Sequence, residues 1–272
     1  MSQAVASETA ARPHSPAERA FREALATQAP PNPRIRSLRA AGHTAFGTTG
    51  IPDTRTEAWK YTNLRALSRR GFSAPGPVAL PDREAVAVAA IDGLTGPRLV
   101  FVNGRYVPEL SDLQTQPGLA LLPLAELCAD EDAAVPDSLE QLGDVDRHPF
   151  AALNQGLLEH GMVLRTEAGA TPERPVYLLF LSVPGAEPQA CHPRILIETA
   201  AQSSLTVLEH YAATGSSQNL TNAVTQIALG AASRVRHYRI QDEAAAGFHI
   251  GGLFARVGKD ARLESHNLHF GG

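Results

Sequence analysis

Residues 195–211, ILIETAAQSSLTVLEHY, decide the fold because their pattern returns twice further along the chain. Residues 225–241 (TQIALGAASRVRHYRIQ) and 253–269 (LFARVGKDARLESHNLH) align with them without gaps, at offsets of 30 and then 28 residues. Apolar and polar positions alternate in each copy, as in two short strands joined by a corner of small residues. One copy cannot cover its own apolar face, whereas copies stacked in register can. The repeat therefore predicts a mainly β protein with a β-helix or a related β-solenoid.

The rest of the chain divides around this repeat. We predict a flexible tail over 1–15, an N-terminal helical region over 16–97, a hairpin with linking helices over 98–160, and the start of the solenoid core over 161–272. The third copy of the repeat ends without a polar segment that would cap it. We therefore expect the core to be truncated or covered by a partner, and the fragment to self-associate through its open strand edge.

Local signals predict helices and one hairpin outside the repeat. Ser15-Pro16 is typical of a helix start, and Asn103-Gly104 supplies the two positive-φ residues of a type I′ hairpin turn. The predicted elements, in chain order, are a helix from Pro16 to about Gln28, a helix over 33–46, a loosely helical face over 55–70, a hairpin over 99–107, short helices around 121–128 and 137–142, and a helix over 149–160 ended by Gly161.

The composition narrows the class of protein. With 43% hydrophobic residues the chain can bury a sizeable core, and 24 basic against 28 acidic residues give a net charge of −4. That balance argues against nucleic acid or an anionic membrane as a partner. The start carries no secretory signal, and no apolar run reaches the length of a membrane span, so we expect a cytoplasmic protein. Cys128 and Cys191 are too few for a disulfide framework and are expected to be reduced thiols.

The ten histidines and the carboxylates of the repeat do not identify a site. His237 falls in an inward column with Val207 and Ser265, and His269 shares that inward parity, whereas His266 is expected in an outward column. His266 and His269 lie on opposite faces of one strand and cannot chelate one ion, so we assign no metal ligand. We assign no catalytic residue either. His210 and Tyr238 are expected in the same outward column as His266. The side chains of Cys191 and His192 are expected to point to opposite sides of a strand. The carboxylates of the repeat are expected on solvated faces; they are Glu198, Glu209 and Glu264.

Two stretches resemble a known family. RTEAWKYTNL, residues 55–64, resembles the Glu-x-Trp-Lys-Tyr-Thr signature of the SufD branch of the SufB/SufD family, and RLVFVNGRYVPELSD, residues 98–112, resembles the hairpin that follows it. The signature residues are Glu57, Trp59, Lys60, Tyr61 and Thr62. Trp59, the only tryptophan, is expected to anchor the helical region by packing.

The resemblance implies both fold and function. The fold would be a right-handed parallel β-helix preceded by an N-terminal α-helical region. The function would be that of a non-catalytic scaffold subunit of the SufBCD complex, which assembles iron-sulfur clusters with a SufB-like subunit and a SufC-like ABC ATPase. An iron-sulfur cluster or a reduced flavin would belong to the assembled complex. No cofactor-binding residue of the family has a counterpart to which it can be assigned in this chain.

Two other functions are compatible with the sequence. A β-solenoid enzyme, of the polysaccharide lyase or acyltransferase type, should show a convergent polar cluster along one solenoid face. The repeat columns are mostly aliphatic and small, which favours the scaffold. A structural interaction module without a link to iron-sulfur chemistry is the third possibility.

Overall fold

The computed structural model describes residues 14–27, 30–74, 76, 79–141 and 145–271. Within them the helices are Pro16–Leu25 (α1), Pro33–Thr49 (α2), Arg65–Ser68 (α3), Arg83–Ala89 (α4), Leu124–Ala129 (α5), Asp137–Glu140 (α6) and Pro149–Gly156 (α7). The strands are Arg98–Val102 (β1), Arg105–Tyr106 (β2), Leu119–Pro123 (β3), Gly161–Thr166 (β4), Val176–Ser182 (β5), Ala190–Cys191 (β6), Arg194–Thr199 (β7), Ser204–Ala213 (β8), Leu220–Leu229 (β9), Arg234–Asp242 (β10), Phe248–Val257 (β11) and Arg262–His269 (β12). The predicted tail over 1–15 lies almost wholly outside the described residues.

The C-terminal half is a parallel β-solenoid of about four coils, which confirms the predicted fold class. Each coil contributes one strand to each of two sheets: β4 with β5, β7 with β8, β9 with β10, and β11 with β12. The register follows the predicted offsets residue by residue. Ile195 pairs with Thr225, and Thr225 with Leu253 in the next coil. Stacking in this register lets each strand bond to the coils on both sides.

A hairpin (β1 and β2) and one further strand (β3) extend the two sheets on the N-terminal side of the solenoid. β1 pairs in parallel with β5 and antiparallel with β2, so the hairpin begins one of the two sheets. Asn103 (φ 45°) and Gly104 (φ 80°) form its turn in the predicted type I′ geometry. β3 pairs antiparallel with β4 and begins the other sheet. An apolar interior lies between the sheets, and the first three coils contribute most of it.

Most of the helices form a layer that packs on one of the two sheets, the one that contains β3, β4, β7 and β9. Ser15 caps α1 as predicted, because its hydroxyl accepts the backbone N–H of Glu18 at 3.3 Å. The apolar faces of α1, α2 and α7 meet in one cluster with segments near β6 and β9. Its largest buried members are Phe21, Phe46, Leu67, Phe72, Phe150 and Leu153. This cluster joins the helical layer to the solenoid.

The predicted helix over 149–160 is wrong at its C-terminal end. α7 ends at Gly156, and Gly161 does not cap it but begins β4 with a φ of 143°. A side chain at Gly161 would overlap the carbonyl oxygen of Arg194 in the next coil. The glycine is therefore required by the close approach of two backbones and not by a helix end.

Several other boundaries differ from the sequence prediction. The segment 55–70 forms a 3₁₀ turn over Glu57–Trp59 and the short α3 in place of one helix face. The region around 121–128 is split between β3 and α5, since Leu121 to Pro123 pair with β4. α1 ends earlier than predicted, at Leu25, and α2 continues to Thr49. The connections between coils are also shorter than the predicted loops 212–224 and 242–252, because the flanking strands extend into them and leave 214–219 and 243–247.

Candidate functional site

The interior of the solenoid changes from apolar to polar along its axis. Three columns of inward-facing side chains cross β5, β8, β10 and β12 in register. The columns contain Val176, Val207, His237 and Ser265; Leu178, Glu209, Arg239 and Asn267; and Phe180, Tyr211, Gln241 and His269. The β5 side chains pack in the hydrophobic core, whereas the later coils place charged and hydrogen-bonding groups at the same positions. Later coils therefore bury a polar cluster at the positions where the first coil has apolar side chains.

Glu209 is the centre of this cluster, and its side chain has no solvent exposure. Its Oε1 atom accepts hydrogen bonds from the Thr225 hydroxyl at 2.6 Å and from His237 Nε2 at 2.9 Å. Its Oε2 atom accepts the Tyr211 hydroxyl at 2.7 Å, and Arg239 Nε lies 3.4 Å away. Four groups from two adjacent coils thus converge on one carboxylate, which satisfies the rule that a buried charge must be paired and hydrogen-bonded.

The environment holds Glu209 ionised. Burial alone would raise the pKa of the carboxyl, but the charge of Arg239 and the hydrogen bonds from His237 and Thr225 outweigh it and hold that pKa well below its usual range. Burial, and then the charge of the same carboxylate, raise the pKa of Tyr211 well above that of free tyrosine. The cluster is thus a buried ion pair of Glu209 and Arg239, with further hydrogen bonds to the carboxylate from Thr225, Tyr211 and His237.

A second buried pair lies beside the first. His249 Nδ1 is 2.7 Å from an oxygen of Glu243, whose other oxygen accepts the Thr221 hydroxyl at 2.7 Å. The His249 ring meets the Tyr211 ring edge-on, with centroids 4.7 Å apart. The pair of His249 and Glu243 is therefore in contact with the cluster around Glu209. His249 Nε2 is buried and makes no hydrogen bond within the described residues. The carboxylate thus fixes the orientation of the imidazole.

The arrangement is better suited to structural support than to chemistry on a substrate. Glu209 and His237 are fully enclosed, so neither faces an open groove. No group of three or more histidine, cysteine, aspartate or glutamate side chains in the described part of the chain is placed to hold a metal ion. Burial raises the pKa of both Cys128 and Cys191 to about 12, which keeps these thiols protonated. Protonated thiols are poor nucleophiles and poor metal ligands.

The histidines lie partly where the sequence places them. His237 is the buried, hydrogen-bonded histidine of the inward column, bonded to Glu209 and Ser265. His266 faces outward and stacks on Tyr238 at 5.1 Å, while His269 faces inward and bonds to Gln241, so the two point apart as predicted. The placement of His210 in the column of His266 is wrong. His210 pairs with Ile240, two positions further along, and its Nδ1 is hydrogen-bonded to the Tyr177 hydroxyl at 2.8 Å.

Comparison with known proteins identifies the family. The model of the SufBD protein N-terminal region matches residues 20–178, and the model of the SufBD core domain of the SUF system for FeS cluster assembly matches residues 181–272. The chain belongs to the SufBD family. It is 28% identical over 227 residues to the iron-sulfur cluster assembly protein SufD of Escherichia coli K12, with 82% of this chain and 50% of SufD covered. It is 29% identical over 242 residues to an iron-sulfur cluster assembly SufBD family protein of Synechocystis, with 83% and 51% covered.

The matches cover most of this chain but only part of each relative. The chain spans about half the length of the curated SufBD relatives that it matches. The boundary between the two SufBD regions, residues 178–181, falls within β5. The first coil of the solenoid therefore belongs to both matched regions. The described residues contain no helix long and apolar enough to cross a membrane.

The segment 57–62, predicted from its resemblance to be a SufD-type signature, lies mostly on the outer surface. Trp59 packs against Phe150 of α7, with ring centroids 5.2 Å apart, but part of its ring remains exposed. Tyr61 is 91% exposed, and the ammonium group of Lys60 lies 5.2 Å from its ring centre. Lys60 also approaches Glu57 at 3.8 Å. The signature therefore combines one packing residue with a solvent-facing aromatic and charged edge that includes Thr62.

The carboxylates show where the sequence interpretation of this SufBD chain fails. Glu198 is partly exposed and pairs with Arg165 at 2.7 Å, and Glu264 is also partly exposed. Glu209, in contrast, is fully buried, so its predicted position on a solvated face is wrong. The signal that would have found it is parity, since Glu209 alternates in step with Leu205 and Val207, both of them inward-facing.

Proposed function

We propose that this chain acts as the scaffold subunit of a SufBCD-type complex for iron-sulfur cluster assembly, and that it works through partner subunits. The observation that carries the proposal is the order of the family matches: the SufBD N-terminal region and the SufBD core follow each other along one chain. The printed names of both relatives refer to iron-sulfur cluster assembly. The partners would be a SufB-like subunit and a SufC-like ABC ATPase in the cytoplasm.

The solenoid geometry favours a scaffold over the β-solenoid enzyme. An enzyme needs its acid, base or nucleophile within reach of a substrate. The polar cluster around Glu209 does converge, as expected for the rival function, but it does so inside the coils and uses its donors on one another. Such a cluster stabilises the stacked coils of the solenoid. A subunit that holds its partners in fixed positions requires such a rigid structure.

We also propose that an iron-sulfur cluster or a reduced flavin is bound by the assembled complex. Cys128 and Cys191 are buried in the helical layer and beside the hairpin, and their raised pKa values disfavour thiolate ligation. An iron-sulfur cluster would therefore be held by other groups of the complex. Self-association of this chain also stays a prediction.

The test is capture of the protein with its partners. An affinity tag is placed on the gene that encodes the chain, and the bound proteins are identified by mass spectrometry after capture from native cytosol. We expect a SufB-like protein and an ABC-type ATPase in a stable ratio to the tagged chain. Deletion of the gene should lower the activity of cluster-dependent enzymes, while their protein levels and the activity of cluster-free enzymes stay constant.

The opposite outcome distinguishes the alternatives. If neither partner is captured and cluster-dependent enzymes keep their activity, the scaffold proposal fails and a solenoid enzyme must be reconsidered. If both partners are captured but cluster-dependent activity is unaffected, the chain is an interaction module without a role in cluster assembly. The tag alone, expressed in the same cells, gives the background for the capture.

A further inference from the structure

A cavity of about 310 Å³ lies between the helical layer and the start of the solenoid. α1 forms one wall, the segment 72–74 another, and the residues after α7 together with β6 form the floor. Its apolar lining includes Ala20, Phe21, Ala24, Phe72, Leu157 and Ala190. This volume equals the share of about ten water molecules in the liquid, at the lower end of the range of ligand pockets. The cavity therefore suits a small organic molecule with an apolar body.

A buried cation borders this apolar space. Arg39 of α2 is only 7% exposed and lines the cavity. Its Nε donates to the carbonyl oxygen of Gly156 at 3.1 Å, and its Nη2 reaches the Thr27 hydroxyl at 3.4 Å. No carboxylate lies within ion-pair distance of Arg39 among the described residues, and its Nη1 makes no hydrogen bond there. A buried guanidinium without a counterion is costly, so a bound anion would stabilise this arrangement.

A neutral hydrogen-bond donor, His192, lies at the same cavity. Its ring meets the Phe21 ring edge-on, with centroids 6.1 Å apart. The side-chain amide of Asn222 donates to His192 Nδ1 at 3.0 Å, which places the ring proton on Nε2. Burial lowers the pKa of His192 to about 3, so the imidazole is neutral near pH 7. His192 thus provides an N–H donor without adding a second buried charge.

The remaining charged groups of the lining nearly cancel. Arg105 adds a positive charge and Glu159 a negative one, while Glu159 lies half-exposed, 3.4 Å from His160. Burial lowers the pKa of His160, which keeps it neutral at the pH of the cytosol. Arg39 therefore remains as the unbalanced charge of the lining, and it lies beside the apolar wall of α1.

We propose that this cavity binds a small amphiphilic organic anion, with its carboxylate on Arg39 and its apolar body against the stacked rings of Phe21 and Phe72. The guanidinium offers the planar pair of donors that a carboxylate prefers. The volume fits a monocarboxylic acid of roughly ten non-hydrogen atoms. The site lies between the helical layer and the hairpin, so occupancy would tie the N-terminal region to the solenoid.

Octanoate is the probe, and isothermal titration calorimetry on the full chain is the measurement. We expect saturable binding of one octanoate per chain. 1-Octanol, which lacks the charge, and acetate, which lacks the apolar body, should each bind at least tenfold more weakly. Arg39→Gln should weaken octanoate binding at least tenfold. Arg36→Gln, on the exposed side of the same helix, should leave it unchanged.

A second variant keeps the test decisive if Arg39→Gln fails to fold. Ala24→Phe retains the guanidinium but fills the space beside Phe21, so it should abolish octanoate binding while circular dichroism shows a native fold. The proposal is overturned if the native chain shows no saturable octanoate binding. It is also overturned if 1-octanol binds as tightly as octanoate, or if Ala24→Phe binds as tightly as the native chain.

Discussion

Glu209 and Arg239 stand in the same interior column of the solenoid, one coil apart, with Arg239 Nε 3.4 Å from the Glu209 carboxylate. The column continues to uncharged residues on both sides, Leu178 in the coil before and Asn267 in the coil after. Each charge therefore depends on the other, because neither neighbouring coil offers a replacement. A pair enclosed in this way makes a large difference to stability when one partner is removed.

Glu209→Gln is expected to lower the free energy of unfolding by about 3–5 kcal/mol, because Arg239 would stay buried without its counterion. The amide also cannot accept from all the donors that converge on the carboxylate. Urea denaturation followed by far-UV circular dichroism measures the change.

Glu264→Gln is the matched control for that variant. Glu264 lies on β12 with a partly exposed side chain, 2.7 Å from the exposed Arg262. Exposed ion pairs contribute about 0–1 kcal/mol, so this substitution should shift the denaturation midpoint only slightly. Equal losses in the two variants would contradict the central role of the buried pair.

The stability of the protein should fall as the pH drops below about 6.5, in part because of His192. Its folded-state pKa is lowered to about 3 by burial, whereas an unfolded histidine has a pKa of about 6.5. Between these values the unfolded state binds more protons, so acid favours unfolding. His192→Asn should reduce the pH slope of the unfolding free energy by up to about 1.4 kcal/mol per pH unit in this window.

His266→Asn serves as the comparison for the pH experiment. His266 is exposed on the outer face and stacks on Tyr238. Removing it should leave the slope between pH 3 and 6.5 as steep as in the native chain. If His192→Asn and the native chain lose stability in parallel over that range, His192 does not carry a depressed pKa.

The repeat could be predicted from the sequence because two independent signals agree. Alternation fixes which side chains face inward, and the spacing of the copies fixes which residues pair across coils, so Leu205, Val235 and Leu263 stack as expected. The polar cluster could be predicted only in part. Arg239 follows Glu209 by the 30-residue offset of the repeat, so the two fall in one column. Thr225 and His237 lie 16 and 28 residues further along the chain than Glu209, outside that offset, and they converge on it only once the coils stack.

Glycine positions show a second limit of sequence reasoning. Gly161 after a helical pattern resembles a C-terminal cap, because glycine adopts positive φ at helix ends. In the structure it is the missing side chain of Gly161 that matters, because it allows β4 to approach Arg194 in the next coil. Local pattern alone cannot separate a turn from a close contact with a segment more than 30 residues away.

Trp59→Ala should lower the free energy of unfolding by about 1–3 kcal/mol. The full loss of a buried aromatic is about 3–5 kcal/mol, and the Trp59 ring is only partly buried against Phe150. Tyr61→Ala, in the same signature but 91% exposed, should change stability by less than about 0.5 kcal/mol. Chemical denaturation of both variants tests the assignment, and a larger loss for Tyr61→Ala would contradict it.

Two glycines of α2 should respond in opposite directions to the same substitution. A Cβ atom at Gly42 would overlap the backbone of Gly156 in α7, so Gly42→Ala must push the two helices apart and should destabilise the protein by about 1–3 kcal/mol or more. Gly47 faces open space, and Gly47→Ala should stabilise the helix by about 0.5–1 kcal/mol. Thermal unfolding compares them, and a stabilising Gly42→Ala would contradict the close packing of α2 on α7.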